Sequence, residues 1–215
     1  MKKKSLVLVF ILFAGMQSFA QFEGAKQTYS APNLKTELAK QKMVAILPFD
    51  AAITYKRTPK NYDSSANKNE EINISKDLQQ SMFTYLLRKA DKYTVAFQDV
   101  NRTNALLKSK EAYNKLDILT ADSICKILGV DAVIKCNYSY EKTASEAGAI
   151  VKTILIGGMG SKTGSGALTM QIYNGADGNL LWRFYKAMND DVMSSTDRLM
   201  ERMMRKVSRN FPYEK

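Results

Sequence analysis

Residues 43–49 read Met-Val-Ala-Ile-Leu-Pro-Phe, an apolar run that offers water no polar face. A strand of this kind is buried on both sides, so the sheet holding it must carry helices on each face. Pro48 has no amide hydrogen and marks where regular ladder pairing stops. The covering helices are legible downstream. Ile74, Leu78, Met82, Tyr85 and Leu86, within 70–89, recur at three and four residue steps and form one helical stripe. Residues 93–97 give a short strand, and Asp99 is placed to cap a helix holding Ala105, Leu106 and Leu107. Residues 120–128 form another helix, stopped by Gly129 in the left-handed region, and 131–140 resume as a strand.

Leu168, Met170 and Ile172 alternate with Thr169, Gln171 and Tyr173, and 180–185 form a further apolar strand in which Trp182 anchors the core. The intervening 174–179, Asn-Gly-Ala-Asp-Gly-Asn, tolerates positive φ and predicts a hairpin turn. Ser194 with Asp197 forms a capping box for a last helix whose buried face is Leu199, Met200, Met203, Met204 and Val207. Phe211-Pro212 ends it. The expected fold is α/β: a single mixed β-sheet packed with helices in the order β-α-β-α-α-β-β-β-α, ending in a β-hairpin and a C-terminal helix. The polar stretch 21–33 reads as a loose leader and 33–41 as a possible short helix, giving an N-terminal arm, 21–41, ahead of one domain at 42–215. Residues 55–69 lack periodicity and read as a long exposed loop.

The first twenty residues carry Lys2, Lys3 and Lys4, an apolar run at 6–14 and Ser18-Phe19-Ala20, the pattern of a cleaved export signal. The mature chain is expected to begin at Gln21, in the periplasm or cell envelope. No cysteine follows the cut, so no lipid anchor is expected. Without the three signal lysines, the 32 basic residues fall to 29 against 21 acidic ones, a net charge of about +8 that favours anionic partners. There is no histidine, which removes the commonest general base and the commonest zinc ligand. No catalytic residue, cofactor, metal or nucleic-acid partner is expected.

Four features carry the candidate sites. Arg198, Arg202, Arg205 and Arg209 line one stripe of the last helix and could grip phosphates or carboxylates, against a plain solvated face paired with Glu201. Cys125 and Cys136 both sit in phase with apolar neighbours; two buried thiols is the simpler reading, and a disulfide in an exported protein stays open. The glycine-bearing 148–166 reads as a flexible loop or partner-binding tongue. Ser161 and Ile156 stand where a phosphate loop needs glycine, and 149–156 does not alternate as a membrane hairpin should. Asp50 and Asp190-Asp191 are the only hint of carboxylate hydrolysis, and aspartates at element ends are mostly caps and turn formers.

Three motifs in order resemble one group of exported proteins. Val44-Ala45-Ile46-Leu47-Pro48-Phe49-Asp50 resembles the first strand of the CsgG, FlgO and TolB N-terminal group. Ile127-Leu128-Gly129-Val130-Asp131-Ala132-Val133-Ile134 resembles its helix, glycine, strand signature. Residues 166–172, the Ala176-Asp177-Gly178 turn and Leu180-Leu181-Trp182 resemble its closing hairpin. The resemblance implies a non-enzymatic envelope protein that binds an envelope protein partner; the charge excess and the arginine stripe allow peripheral contact with anionic membrane or glycan, and an oligomer stays open. A secretion-channel role of CsgG type is the alternative, although the chain lacks the lipobox cysteine and clear paired barrel hairpins.

Overall fold

Residues 26–142, 164–188 and 196–215 are described by the computed structural model. In chain order the strands and α-helices are β1 (Lys26–Ser30), α1 (Leu34–Leu38), β2 (Met43–Ile46), β3 (Asp50–Tyr55), α2 (Ser64–Leu87), β4 (Ala96–Phe97), α3 (Val100–Ser109), α4 (Ala121–Leu128), β5 (Ala132–Lys142), β6 (Gly164–Asn174), β7 (Leu180–Met188) and α5 (Thr196–Ser208). Seven strands make one mixed sheet in the order β1-β7-β6-β5-β2-β4, with β3 also on β5. This is the α/β architecture expected from the sequence.

The doubly buried strand is β2. Val44 and Ile46 enter the larger core beneath α2 and α5, while Ala45 and Leu47 enter a second core beneath α3 and α4. Alternate β2 residues thus face different helix layers. β5 divides the same way: Ala132, Ile134, Cys136, Tyr138 and Tyr140 join the larger core, and Val133 joins the smaller. Burying each large apolar side chain here is worth about 1.5–3 kcal/mol. Trp182 is buried in the larger core, stacked on Phe184 with ring centroids 6.0 Å apart and edge-on to Phe211 at 6.1 Å.

Polar contacts set the register. Asp131, from the helix, glycine, strand signature, accepts from the amides of Lys42 and Met43 at 2.7 and 2.9 Å and donates its own amide to the Met43 carbonyl. The motif is therefore a clasp between α4 and the start of β2. Gly129 closes α4 at φ +65°, a conformation that disfavours any Cβ. At the β6–β7 turn, the Gly175 amide donates to the Asp131 carbonyl at 2.8 Å. The buried Gln41 then joins distant segments: it accepts from the Tyr213 hydroxyl at 2.6 Å and donates to Asn174 Oδ1 at 3.3 Å.

Three expectations needed correction. Residues 26–30 are no loose arm but β1, paired antiparallel with β7 from Lys26 opposite Lys186 to Ser30 opposite Trp182. No strand was expected between Phe49 and Tyr55, yet β3 lies parallel to the second half of β5, with Pro48 at the break between β2 and β3. The expected loop at 55–69 is shorter, because α2 begins at Ser64 and not at Glu70. Asp63 caps it by accepting from the amides of Ser65 and Ala66, and the Ser65 hydroxyl and those amides hold its carboxyl below the usual range. The first turns of α2 look polar because they cover a strand edge. Asn67 donates to the Ile53 carbonyl at 3.3 Å, and Glu71 accepts from the Ile53 amide at 3.0 Å. Ser194, and with it the expected capping box, lies outside the described residues.

Cys125 belongs to the smaller core and Cys136 to the larger, and both thiols are free and buried. Burial pushes Cys125 up to about 12, with the carboxylates of Asp122 and Asp131 adding to the effect, and burial alone pushes Cys136 up as well. Thiolate is the reactive form, so neither side chain is a nucleophile at neutral pH. We expect alkylation of folded protein at neutral pH to be negligible and two thiols to be titrated once denaturant is added, without a reductant. Fewer than two would reveal a bridge.

The Tyr138 hydroxyl is buried with no hydrogen-bond partner among the described residues, whereas the equally buried Tyr213 hydroxyl has Gln41. An unmet buried hydroxyl costs about 1–3 kcal/mol, and a made bond contributes about 1 kcal/mol. Tyr138→Phe should therefore be neutral or stabilising in urea unfolding, while Tyr213→Phe should lose about 1 kcal/mol. A Cβ at Gly175 would meet the Asp131 carbonyl oxygen at 2.6 Å and Cys125 Cβ at 2.9 Å. Because one of these is backbone, Gly175→Ala should lose about 1–3 kcal/mol in the same assay.

Candidate interaction surface

The helix α5 has two faces with separate duties. Leu199, Met200, Met203, Met204 and Val207 are buried against the sheet and α2, as the sequence pattern requires. Methionine suits this seam because its unbranched chain fills irregular space. The opposite face carries the arginine stripe, and the structure places three of its four members together. Arg202, Arg205 and Arg209 line an open groove of about 370 Å³ with Lys206, Lys26 and Lys186. Arg198 is exposed and lies outside the groove.

The two lysines were not visible as site residues from the sequence. Lys186 sits in β7 at 4% exposure, and Lys26 lies in β1 directly opposite it. Cross-strand partners share a face of the sheet. The pair therefore belongs to the face that α5 covers, along with Phe184, over which the Lys26 ammonium stands 6.0 Å from the ring centroid. A signal existed in the spacing of Phe184 and Lys186, two residues apart in a strand, but it needed β1 as a partner to acquire meaning. Six cations from three elements converge on one groove.

Among the described residues, Glu201 tempers it. Glu201 accepts from Arg205 Nη2 at 3.0 Å and lies 3.9 Å from Arg88 Nη2. The Arg205 hydrogen bond, aided by the charges of Arg205, Arg88 and Lys89, holds its carboxyl below the usual range. Exposed ion pairs of this kind add little to stability, about 0–1 kcal/mol each. Guanidinium groups offer bidentate contacts to carboxylate or phosphate.

A second concavity, about 310 Å³, lies where β2 passes into β3 beside α2. Asp50, Glu71, Ser75, Asp117, Lys68 and Lys135 contribute polar groups over a floor that includes Leu47, Phe49 and Leu116. Most of these groups hold structure. Asp50 accepts from Asn137 at 2.7 Å, Glu71 is bound to the β3 edge and to Lys68, Ser75 donates to the Phe49 carbonyl, and Lys135 donates to the Leu116 carbonyl at 3.2 Å. Asp50 is thus a strand-end residue with a positioned neighbour. Asp190, Asp191 and most of the 148–166 segment, including the membrane-hairpin candidate 149–156, lie outside the described residues; Gly164 to Gly166 open β6. Among the described residues, no three His, Cys, Asp or Glu side chains cluster to hold a metal, and no helix is long and apolar enough to cross a membrane.

No protein-family model matches the chain, and no curated protein matches its sequence. Among solved structures, the chain is similar in overall fold to the PelC dodecamer subunit from Paraburkholderia phytofirmans, at 10% identity over 89% of this chain and 97% of that one, TM-score 0.42. It is also similar to lipoprotein GNA1162 from Neisseria meningitidis, at 9% identity over 79% and 95%, TM-score 0.39. The C-terminal domain of LpoB from Salmonella enterica matches at 11% identity over 74% and 94%, TM-score 0.36. At these identities and TM-scores no residue role passes to this chain.

Proposed function

We propose that this protein is an exported, non-enzymatic component of the cell envelope that works as a protein-interaction or assembly module, docking an acidic partner in the groove beside α5. The observation that carries the reading is the convergence of Lys26, Lys186 and the α5 cations on one groove. A surface that gathers cations in this way favours an anionic partner. The basic start and apolar run before Gln21 support export. Membership of the CsgG, FlgO and TolB N-terminal group is part of the same proposal, supported by the order of its three motifs. They coincide with β2, with the α4–Gly129–β5 junction and with the β6–β7 hairpin.

The test is cross-linking in whole cells, followed by mass spectrometry, of wild type and of an Arg205→Glu, Arg209→Glu double variant. Both side chains are exposed, so the fold should survive. Reversing two rim charges should lower recovery of the cross-linked partner by about tenfold or more. Unchanged recovery removes the groove from the docking surface. Detection of the unprocessed precursor in the cytosol as the main species would remove export.

A further inference from the structure

β2 and β4 are parallel neighbours, and the chain leaves them toward opposite faces of the sheet. α2, which follows β2 and β3, covers the larger core, while α3 and α4, which follow β4, cover the smaller. Where adjacent parallel strands send their connections apart, neither connection closes the space beyond their carboxyl ends. In open α/β sheets that crevice is where ligands bind.

The crevice of this protein is long. The 310 Å³ concavity at the break between β2 and β3 adjoins two others, about 580 and 520 Å³, that follow α2 toward α3. All three are lined by Tyr113, whose place follows from how α3 ends. Glu111 takes φ +53°, alone among the described residues other than glycine in having a positive φ. The Glu111 and Ala112 amides donate back to the carbonyls of Lys108 and Leu107. This turn buries Ala112 in the smaller core and leaves the half-buried Tyr113 ring in the crevice, with the Lys108 ammonium 5.3 Å from its centroid.

The two ends differ in charge. At the β2–β3 end, Asp50, Glu71 and Asp117 outnumber Lys68 and Lys135. Lys68 pairs with Glu71, and Lys135 donates to the Leu116 carbonyl. Asp117 and the Asp50 oxygen that Asn137 does not reach therefore face the concavity without a cation among the described residues. In the adjoining concavity, Lys76, Lys108 and Lys115 stand with Glu111. Ile72, Tyr113 and Asn114 belong to both concavities and lie between the two charged ends. Ile72 is 41% exposed.

We propose that this crevice binds a short peptide with free termini, about three residues long. Its ammonium lies at Asp50 and Asp117, its carboxylate at Lys76 and Lys115, and an apolar side chain rests on Tyr113 and Ile72. The site shares no residue with the α5 groove, so it adds a small ligand to the function proposed above. From Lys68 to Lys76, α2 advances about 12 Å. An extended tripeptide spans about 10 Å. A ligand of one sign lying across both ends would meet like charge at one of them, which selects for a dipolar molecule. The Asn114 side chain carries both a donor and an acceptor for a peptide group between the termini.

The probe is Ala-Leu-Ala with both termini free, titrated into the protein beside its N-acetylated, C-amidated and doubly blocked forms while amide resonances are followed. The free peptide should saturate with a Kd of about 1 mM or tighter and shift the resonances of Tyr113 and Asn114. Each block should weaken binding about threefold or more. Asp117→Asn should weaken the free peptide and leave the acetylated one unchanged; Lys76→Gln should do the same for the amidated one. Both side chains are exposed, and an unchanged urea midpoint shows that each variant is folded. Absence of saturation at about 10 mM, equal affinity of the doubly blocked form, or shifts confined to residues outside the crevice overturn the proposal. So does weakening by the blocks that neither folded variant reproduces. Should a variant fail to fold, the blocked peptides decide.

Discussion

The eleven residues of β5 are the constraint on which the other elements depend. One flank carries β2 and then β3, both parallel, and the other carries β6, antiparallel along its full length. A strand flanked on both sides has few spare backbone groups, so its main freedom is which face each side chain takes. Ala132, Val133 and Ile134 lie where both faces are covered, and all three are apolar and buried. Further along, Asn137, Ser139 and Glu141 turn outward where α3 and α4 no longer reach, and alternation replaces continuous hydrophobicity. The change from one pattern to the other within a single strand records how far the second helix layer extends.

Asp131 secures the start of that strand. A one-residue slip between β2 and β5 would send Val44 and Ile46 to the wrong layer, and the carboxylate that binds two successive β2 amides opposes it. Gly175 comes close enough to touch the Asp131 carbonyl only because it has no Cβ. The clasp, the α4 stop and the hairpin turn thus meet at one corner of the sheet. Stretches separated by some forty residues in sequence thus meet at one point of the fold.

What could be read from the chain was what periodicity alone decides. The stripe of α2 from Leu78 onward, the Gly129 stop, the alternating β6 and the buried face of α5 all follow from spacing, because each packs on a broad apolar face. The elements that escaped were those packed on edges. β1 has no buried face, so Lys-Gln-Thr-Tyr-Ser shows no alternation of hydrophobicity. The first turns of α2 carry Asn67 and Glu71 because their task is to bond the backbone of β3, and a helix that covers an edge needs amides and carboxylates there. The groove was half legible for the same reason: the arginine stripe is periodic in one helix, while Lys26 and Lys186 become neighbours only through the pairing of β1 with β7.

This division has a functional consequence. Core residues of α5 and groove residues of α5 interleave along one helix, yet they answer to different demands, since the methionine seam tolerates small changes in volume and the arginine face contributes little to folding. The exposed arginines can therefore change without disturbing the fold beneath them. The floor is less free. Lys186 is buried in β7 beside Phe184, and changing it disturbs both the sheet and the groove. The groove consequently has a fixed base set by strand pairing and an adjustable rim set by one helix.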